Sequence, residues 1–129
     1  MNGGPKIDKP KLKPAIFIGS SHEDLREFPG DVQGEIGYAL EVAQSGGKHQ
    51  SAKPLKGFGD ARVLEIVEDH RGDTYRAVYT VRFAKAVYVL QVFQKKSKSG
   101  IATPKHELDL IARRLKVAAA DYQQRYTEK

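Results

Sequence analysis

Apolar residues recur at two different spacings along this chain. In TYRAVYTVRF (Thr74–Phe83), Tyr75, Ala77, Tyr79, Val81 and Phe83 alternate with Arg76, Val78, Thr80 and Arg82, which is the period of a β-strand whose successive side chains point to opposite faces. The first set predicts a core face and the second a half-polar one. VLEIVED (Val63–Asp69) and AVYVLQVF (Ala86–Phe93) are also strand-like, and the short links HRGD and Ala84-Lys85 predict an antiparallel meander of the three. AIFIG (Ala15–Gly19) adds a short apolar strand near the N-terminus.

A helical period replaces this alternation elsewhere. Val32, Ile36, Ala39, Leu40 and Ala43 fall on one stripe that Gly46-Gly47 stops, with Pro29 expected at the first helical position. Ser20 or Ser21 followed by Glu23 has the pattern of a capping box, and Leu25 with Phe28 suits one or two helical turns before Pro29. Near the C-terminus Leu108, Ile111, Leu115, Ala119 and Tyr122 recur at helical spacing, with Thr103 expected as N-cap and Pro104 as first helical residue. The expected fold is α+β: a small antiparallel sheet, made of the meander plus the N-terminal strand, packed against two N-terminal helices, with a long C-terminal helix. Met1–Pro14 reads as a flexible basic arm, residues 15–129 as one domain, and Lys48–Arg62 as a loop with an excess of positive charge.

Composition narrows the chemistry. With 22 Lys+Arg against 16 Asp+Glu the formal charge is +6 over 129 residues, the sign that suits a polyanionic partner. There is no cysteine, which excludes disulfides, thiolate metal sites and cysteine nucleophiles, and the four His show no ligand spacing. Neither a phosphate-binding loop nor a dinucleotide fingerprint occurs, Ser20, Ser97 and Ser99 have no visible His/Asp frame, and no cofactor is expected. Glu65, Glu68, Asp69 and Asp73 gather near one hairpin without a metal-binding pattern, which suits solubility and charge pairing. No apolar stretch is long enough for a membrane span and no secretory signal is visible, so the cytoplasm is the expected compartment.

The basic residues converge on paper. Gln94, Lys95, Lys96, Lys98 and Lys105 follow the last strand, Lys53 and Lys56 precede the meander, Arg76 lies on the half-polar face of its middle strand, and His70 with Arg71 enters from the first hairpin. These segments can form one cationic pocket. Two plainer readings stand beside it: a lysine run at a strand exit is commonly a solvated loop, and Arg76 can be held by an ion pair with Glu65 or Glu68 across the first hairpin.

K-x-L near Lys53, Y-R-A-V-Y at Tyr75–Tyr79, and FQKKSKSGIATP at Phe93–Pro104 followed by an amphipathic helix together resemble the HigB-like, phage Gp49-like branch of the RelE/ParE toxin superfamily, from about Ala15 to Tyr122. The resemblance implies a RelE-like toxin of a type II toxin–antitoxin system: a metal-independent, ribosome-dependent endoribonuclease that cleaves mRNA, inhibits translation, and is neutralised by a cognate antitoxin, often with a helix-turn-helix domain. It implies that Arg76 stabilises the scissile phosphate with Lys95 as second cation and Lys96 as helper, and that Lys53, Lys56, Arg71 and Lys98 bind RNA. Where some relatives carry Lys or Arg on the first meander strand this chain has Glu65 and Val67, and VLQVFQKK lacks a His found near there in some HigB-like proteins. The general base is therefore unassigned, with His70 and a lysine of lowered pKa as candidates. The same fold would serve a ParE-like toxin that binds DNA gyrase, or an RNA-binding domain without catalysis.

Overall fold

The computed structural model describes residues 11–95 and 102–127. The elements are β1 (Ala15–Phe17), α1 (Ser21–Arg26), α2 (Gly30–Gln44), β2 (Lys53–Pro54), a 3₁₀ turn (Gly59–Ala61), β3 (Val63–His70), β4 (Asp73–Thr80), β5 (Val87–Lys95) and α3 (Lys105–Tyr126). The five strands form one sheet in the order β1-β5-β4-β3-β2. β3, β4 and β5 make the expected antiparallel meander. β1 joins its far edge parallel to β5, because α1 and α2 carry the chain away from β1 before it returns. β2 was not expected within the basic loop; it is a two-residue edge strand containing Pro54, and edges are where a sheet tolerates proline.

The first hairpin follows directly from its sequence. His70 pairs with Asp73, which leaves Arg71 and Gly72 as a two-residue link with φ of 51° and 86°, the positive values that match strand twist in tight hairpins.

Helices cover both faces of the sheet. On one side Ile36, Ala39 and Leu40 of α2 pack with Ala77, Tyr79 and Val89; on the other Ile111 and Ala118 of α3 pack with Val78, Tyr88 and Leu90. Each large side chain so enclosed contributes roughly 1.5–3 kcal/mol. The β4 face expected to be half polar is therefore buried: Arg76 is 4% exposed, and Val78 and Thr80 are fully enclosed. Thr80 keeps its hydroxyl satisfied by donating to the Ala61 carbonyl at 2.7 Å. β4 also ends at Thr80, earlier than alternation suggested, because its partner Val63 is the first residue of β3. Phe83 then leaves the sheet and packs its ring 4.7 Å from that of Tyr122 on α3.

A bulge sets how α3 docks. Val78 pairs with Gln91 but Tyr79 with Val89, so Leu90 is an extra residue and both Leu90 and Gln91 turn toward α3. Leu90 enters the core; Gln91 donates to Glu107 Oε1 at 2.8 Å and accepts from Arg114 Nη1 at 2.8 Å. The same guanidinium donates to the Leu90 carbonyl at 3.0 Å, and to Ser21 Oγ and Ser20 Oγ at 3.3 Å each. Arg114 thus ties α3 to β5 and to the start of α1. Farther along α3, Asp121 Oδ2 accepts from Tyr88 Oη and Arg125 Nε at 2.6 Å each, and these two bonds hold its carboxyl below the usual range.

The helix starts differ from the expected caps. Ser20 occupies the N-cap of α1, but its hydroxyl donates to Asp24 Oδ2 at 2.8 Å and no capping box forms. Pro29 and Pro104 are the N-caps of α2 and α3, one place before the expected first helical position, and Thr103 is free for another task. The expected arm spans residues 1–14, of which 1–10 lie outside the described residues. Its end is anchored: Lys13 N donates to the Gln44 carbonyl at 2.9 Å and Gln44 Nε2 to the Lys13 carbonyl at 2.7 Å.

Two substitutions test this frame. Gly19 has φ 61°, and a Cβ there would lie 2.7 Å from Arg114 Nη2. Gly19→Ala is expected to lower the unfolding free energy by about 2 kcal/mol, from the left-handed backbone and the displaced clamp together, seen as a lower denaturation midpoint with an unchanged slope. Tyr79 Oη is buried with no hydrogen-bond partner among the described residues, and burial pushes its pKa up to about 12. An unfolded tyrosine ionises near 10, so folding holds Tyr79 neutral and stability falls as pH rises from about 10 toward 12. Tyr79→Phe is expected to stabilise by about 1 kcal/mol at neutral pH and to flatten that alkaline decline, with the remaining slope carried by Tyr88, which burial also raises.

Candidate functional site

Residues opposite one another in a ladder share a face, so the register assigns the sequence candidates to sides of the sheet. Lys53 pairs with Glu65, Glu65 with Val78, Arg76 with Phe93, and Thr74 with Lys95. Lys53, Glu65, Arg76 and Lys95 therefore all belong to the α3 face. The three cations come from three strands of that face.

The geometry at its centre is closed. Arg76 Nη1 donates to Glu65 Oε2 at 3.1 Å and to Thr103 Oγ1 at 3.1 Å, and the Thr103 hydroxyl lies 3.4 Å from the same carboxylate oxygen. Lys95, 9% exposed, donates from Nζ to the Ala102 carbonyl at 2.8 Å. Ala102 and Thr103, just before α3, thus lie against both cations. The ion pair with Glu65 is the plainer reading of Arg76, and it holds in the structure. Desolvating a guanidinium beneath α3 is costly unless an anion meets it, and Glu65 meets that need. The pair also sets a carboxylate beside a cation and a hydroxyl, a combination able to accept a proton and stabilise negative charge within a few ångströms.

Of the two alternatives for Arg76, Glu65 and not Glu68 is its partner, and Thr103 bonds Arg76 instead of capping α3. Strand alternation contained a signal for Glu65, since the parity that puts Val63 in the core also puts Glu65 on that face. Thr103 had none, because only the tertiary path of the chain brings it to β4.

The remaining candidates are spread more widely. His70 alternates with Asp69 and shares the side of Ile66 and Glu68, the side facing α1 and α2, so the register directs it away from Arg76. Arg71 sits exposed at the hairpin tip and Lys56 exposed in the turn after β2. Lys105, at the start of α3, is exposed and pairs with Asp109 Oδ2 at 3.1 Å. Lys96 and Lys98 lie outside the described residues. Of the other hairpin carboxylates, Asp69 accepts from Thr74 Oγ1 at 3.0 Å. Burial, and then the neighbouring Glu35, raise the Glu68 carboxyl on the opposite face.

Residues 23–116 match the family model described as Phage derived protein Gp49-like. The chain belongs to the Gp49-like family. The match spans Glu65, Arg76, Lys95 and Thr103. No curated protein matches the chain. Among solved structures, one match is a chain of the toxin–antitoxin complex RelBE2 (Rv2865-2866) from Mycobacterium tuberculosis, with 21% identity, 70% of this chain and 100% of that chain covered, and a TM-score of 0.45. Among the described residues of this Gp49-like chain no helix is long and apolar enough to cross a membrane.

The weight of the central ion pair is measurable. Glu65→Ala is expected to destabilise by about 3 kcal/mol, because it removes the carboxylate that meets the buried Arg76 Nη1, and Glu65→Ala/Arg76→Ala to recover part of that loss. A double-mutant cycle giving a coupling below about 0.5 kcal/mol would show that the pair does not hold the site together.

Proposed function

We propose that this Gp49-like protein is the toxin of a type II toxin–antitoxin pair and acts as a metal-independent endoribonuclease on ribosome-bound mRNA. The observation that carries the reading is the meeting of Arg76, Lys95 and Glu65 on one face of the sheet. In metal-free cleavage the RNA 2′-hydroxyl attacks the adjacent phosphorus, the bond to the 5′-oxygen breaks, and a 2′,3′-cyclic phosphate remains. The protein has to take the 2′-hydroxyl proton, neutralise the pentacoordinate phosphate and protonate the departing oxygen.

In this reading the Glu65 carboxylate accepts the proton, in place of His70, and the Arg76 guanidinium and Lys95 ammonium stabilise the equatorial oxygens. Lys95 is also able to return a proton to the leaving group. Lys53, Lys56 and Arg71, together with Lys96 and Lys98, hold flanking phosphates. Dependence on the ribosome fits the closed geometry. Both central cations are turned inward, 4% and 9% exposed, so a phosphate must displace the Ala102–Thr103 segment before it reaches them. Substrate held rigidly in place makes that exchange far more favourable than free RNA does. Neutralisation by a co-encoded antitoxin, of helix-turn-helix type, completes the proposal.

The test is growth arrest on expression, with primer-extension mapping of mRNA in the presence and absence of translating ribosomes. The wild-type protein is expected to cut only with ribosomes, and co-expression of the adjacent small reading frame to restore growth. Glu65→Ala/Arg76→Ala removes both charges, so a folded, inactive protein is expected, with cleavage reduced by roughly 10²-fold or more; Lys95→Ala should lower cleavage less. A double variant that is folded by circular dichroism and cuts like wild type would overturn the assignment. Growth arrest without any RNA cleavage would instead favour the gyrase-binding reading.

A further inference from the structure

A second basic surface lies at the other end of β4. Lys13, Lys48, Arg62 and Arg82 rim an open cavity of about 640 Å³, and no Asp or Glu lines it. None of the four pairs with a carboxylate among the described residues. Its floor is apolar, built from Pro54, Leu55, Leu64 and Val81. The cavity stands roughly 15–20 Å along the sheet from Arg76, and nothing in the cleavage chemistry uses it.

Arg62 is held there at a conformational cost. It follows the 3₁₀ turn with φ 55° and ψ 47°, the left-handed region that is strained for any residue with a side chain relative to glycine. Gly59, three places earlier, also has positive φ, so the chain does use glycine for such geometry nearby. At Arg62 it keeps a long cation instead. Across the rim Arg82 has its guanidinium 5.6 Å from the Phe83 ring centroid, a contact that limits its wandering.

We propose that this cavity is a docking site for an extended, acidic segment of a partner protein whose aliphatic side chains enter the floor while its carboxylates meet the four cations. Two features favour protein over RNA. Single-stranded RNA is gripped by stacking bases on aromatic rings, and no aromatic side chain lines the cavity. A phosphate backbone also has no aliphatic groups to place against the floor, whereas a peptide of alternating Glu and Leu satisfies rim and floor together.

The experiment uses the full chain labelled with ¹⁵N and three probes: an end-capped peptide of alternating Glu and Leu, the same peptide with Gln for Glu, and a polyuridine strand of similar length. The Glu-Leu peptide is expected to shift the amides of Arg62–Leu64 and Val81–Arg82 saturably, and the Gln peptide to bind at least about 10-fold more weakly. Arg62→Glu/Arg82→Glu should weaken the Glu-Leu peptide at least about 10-fold while leaving mRNA cleavage unchanged, since neither residue belongs to the Arg76 site. Arg62→Gly should weaken binding and raise the denaturation midpoint, which separates lost charge from lost fold. The proposal is overturned by absence of cavity shifts with the Glu-Leu peptide up to about 1 mM, by equal binding of the Gln peptide, or by polyuridine shifting the same amides at lower concentration.

Discussion

A guanidinium enclosed between a sheet and a helix must be met by an anion, and much of this molecule is arranged around that requirement. Arg76 lies on the central strand of the meander, under α3, where its charge has little access to water. Glu65 supplies the anion from the neighbouring strand, and Thr103 supplies a hydroxyl to the same nitrogen. The pairing needs β3 and β4 in one register only: a slip by a single residue would turn Glu65 to the α1/α2 side and bury Arg76 against apolar groups. The two-residue Arg71-Gly72 link fixes that register, so the hairpin tip and the ion pair specify each other.

The position of α3 follows from a second, half-buried cation. The bulge at Leu90 turns Gln91 inward, and Arg114 reads it together with the Leu90 carbonyl and the two serines that open α1. Gly19 leaves room for this by having no side chain under the guanidinium. Because α3 begins directly after Thr103 and Pro104, fixing α3 also fixes the approach of Ala102 and Thr103 to Lys95 and Arg76. The clamp at Arg114 and the site at Arg76 are thus mechanically linked through one helix, although they share no residue.

What was legible in the sequence was the local part. Alternation in Tyr75–Tyr79 and the stripes Val32–Ala43 and Leu108–Tyr122 report periodicities that depend on near neighbours, and β4, α2 and α3 lie there. Strand parity puts Arg76 on the face opposite Tyr75, whereas Lys95, expected just past the last strand, is the final residue of β5 and follows a bulge that alternation does not foresee. The missing parts are non-local. Parity could tell that Arg76 opposes Tyr75, yet not that α3 would cover its face, so a buried surface read as half polar. β2 has two residues and no period of its own. Thr103 beside Pro104 has the local signature of a cap, and the tertiary path overrides it by bringing the hydroxyl to Arg76. His70 is near Arg71 and Asp73 in sequence, but strand alternation places it on the other face of the sheet.

The two basic regions differ in the physical state of their charges, and that difference bears on what each can bind. At Arg76 and Lys95 the cations are desolvated and already engaged, so any incoming anion competes with internal acceptors and gains only the difference between two partners. Such a site discriminates by geometry, because a ligand succeeds only if it replaces the existing hydrogen bonds in place. Around Lys13, Lys48, Arg62 and Arg82 the cations stand at the rim of an open cavity without carboxylate partners among the described residues. An anion there displaces water rather than protein, and its gain is screened by salt. The first arrangement suits a reaction centre that should be silent until substrate is positioned, and the second suits attraction of a flexible acidic chain whose final hold comes from the apolar floor.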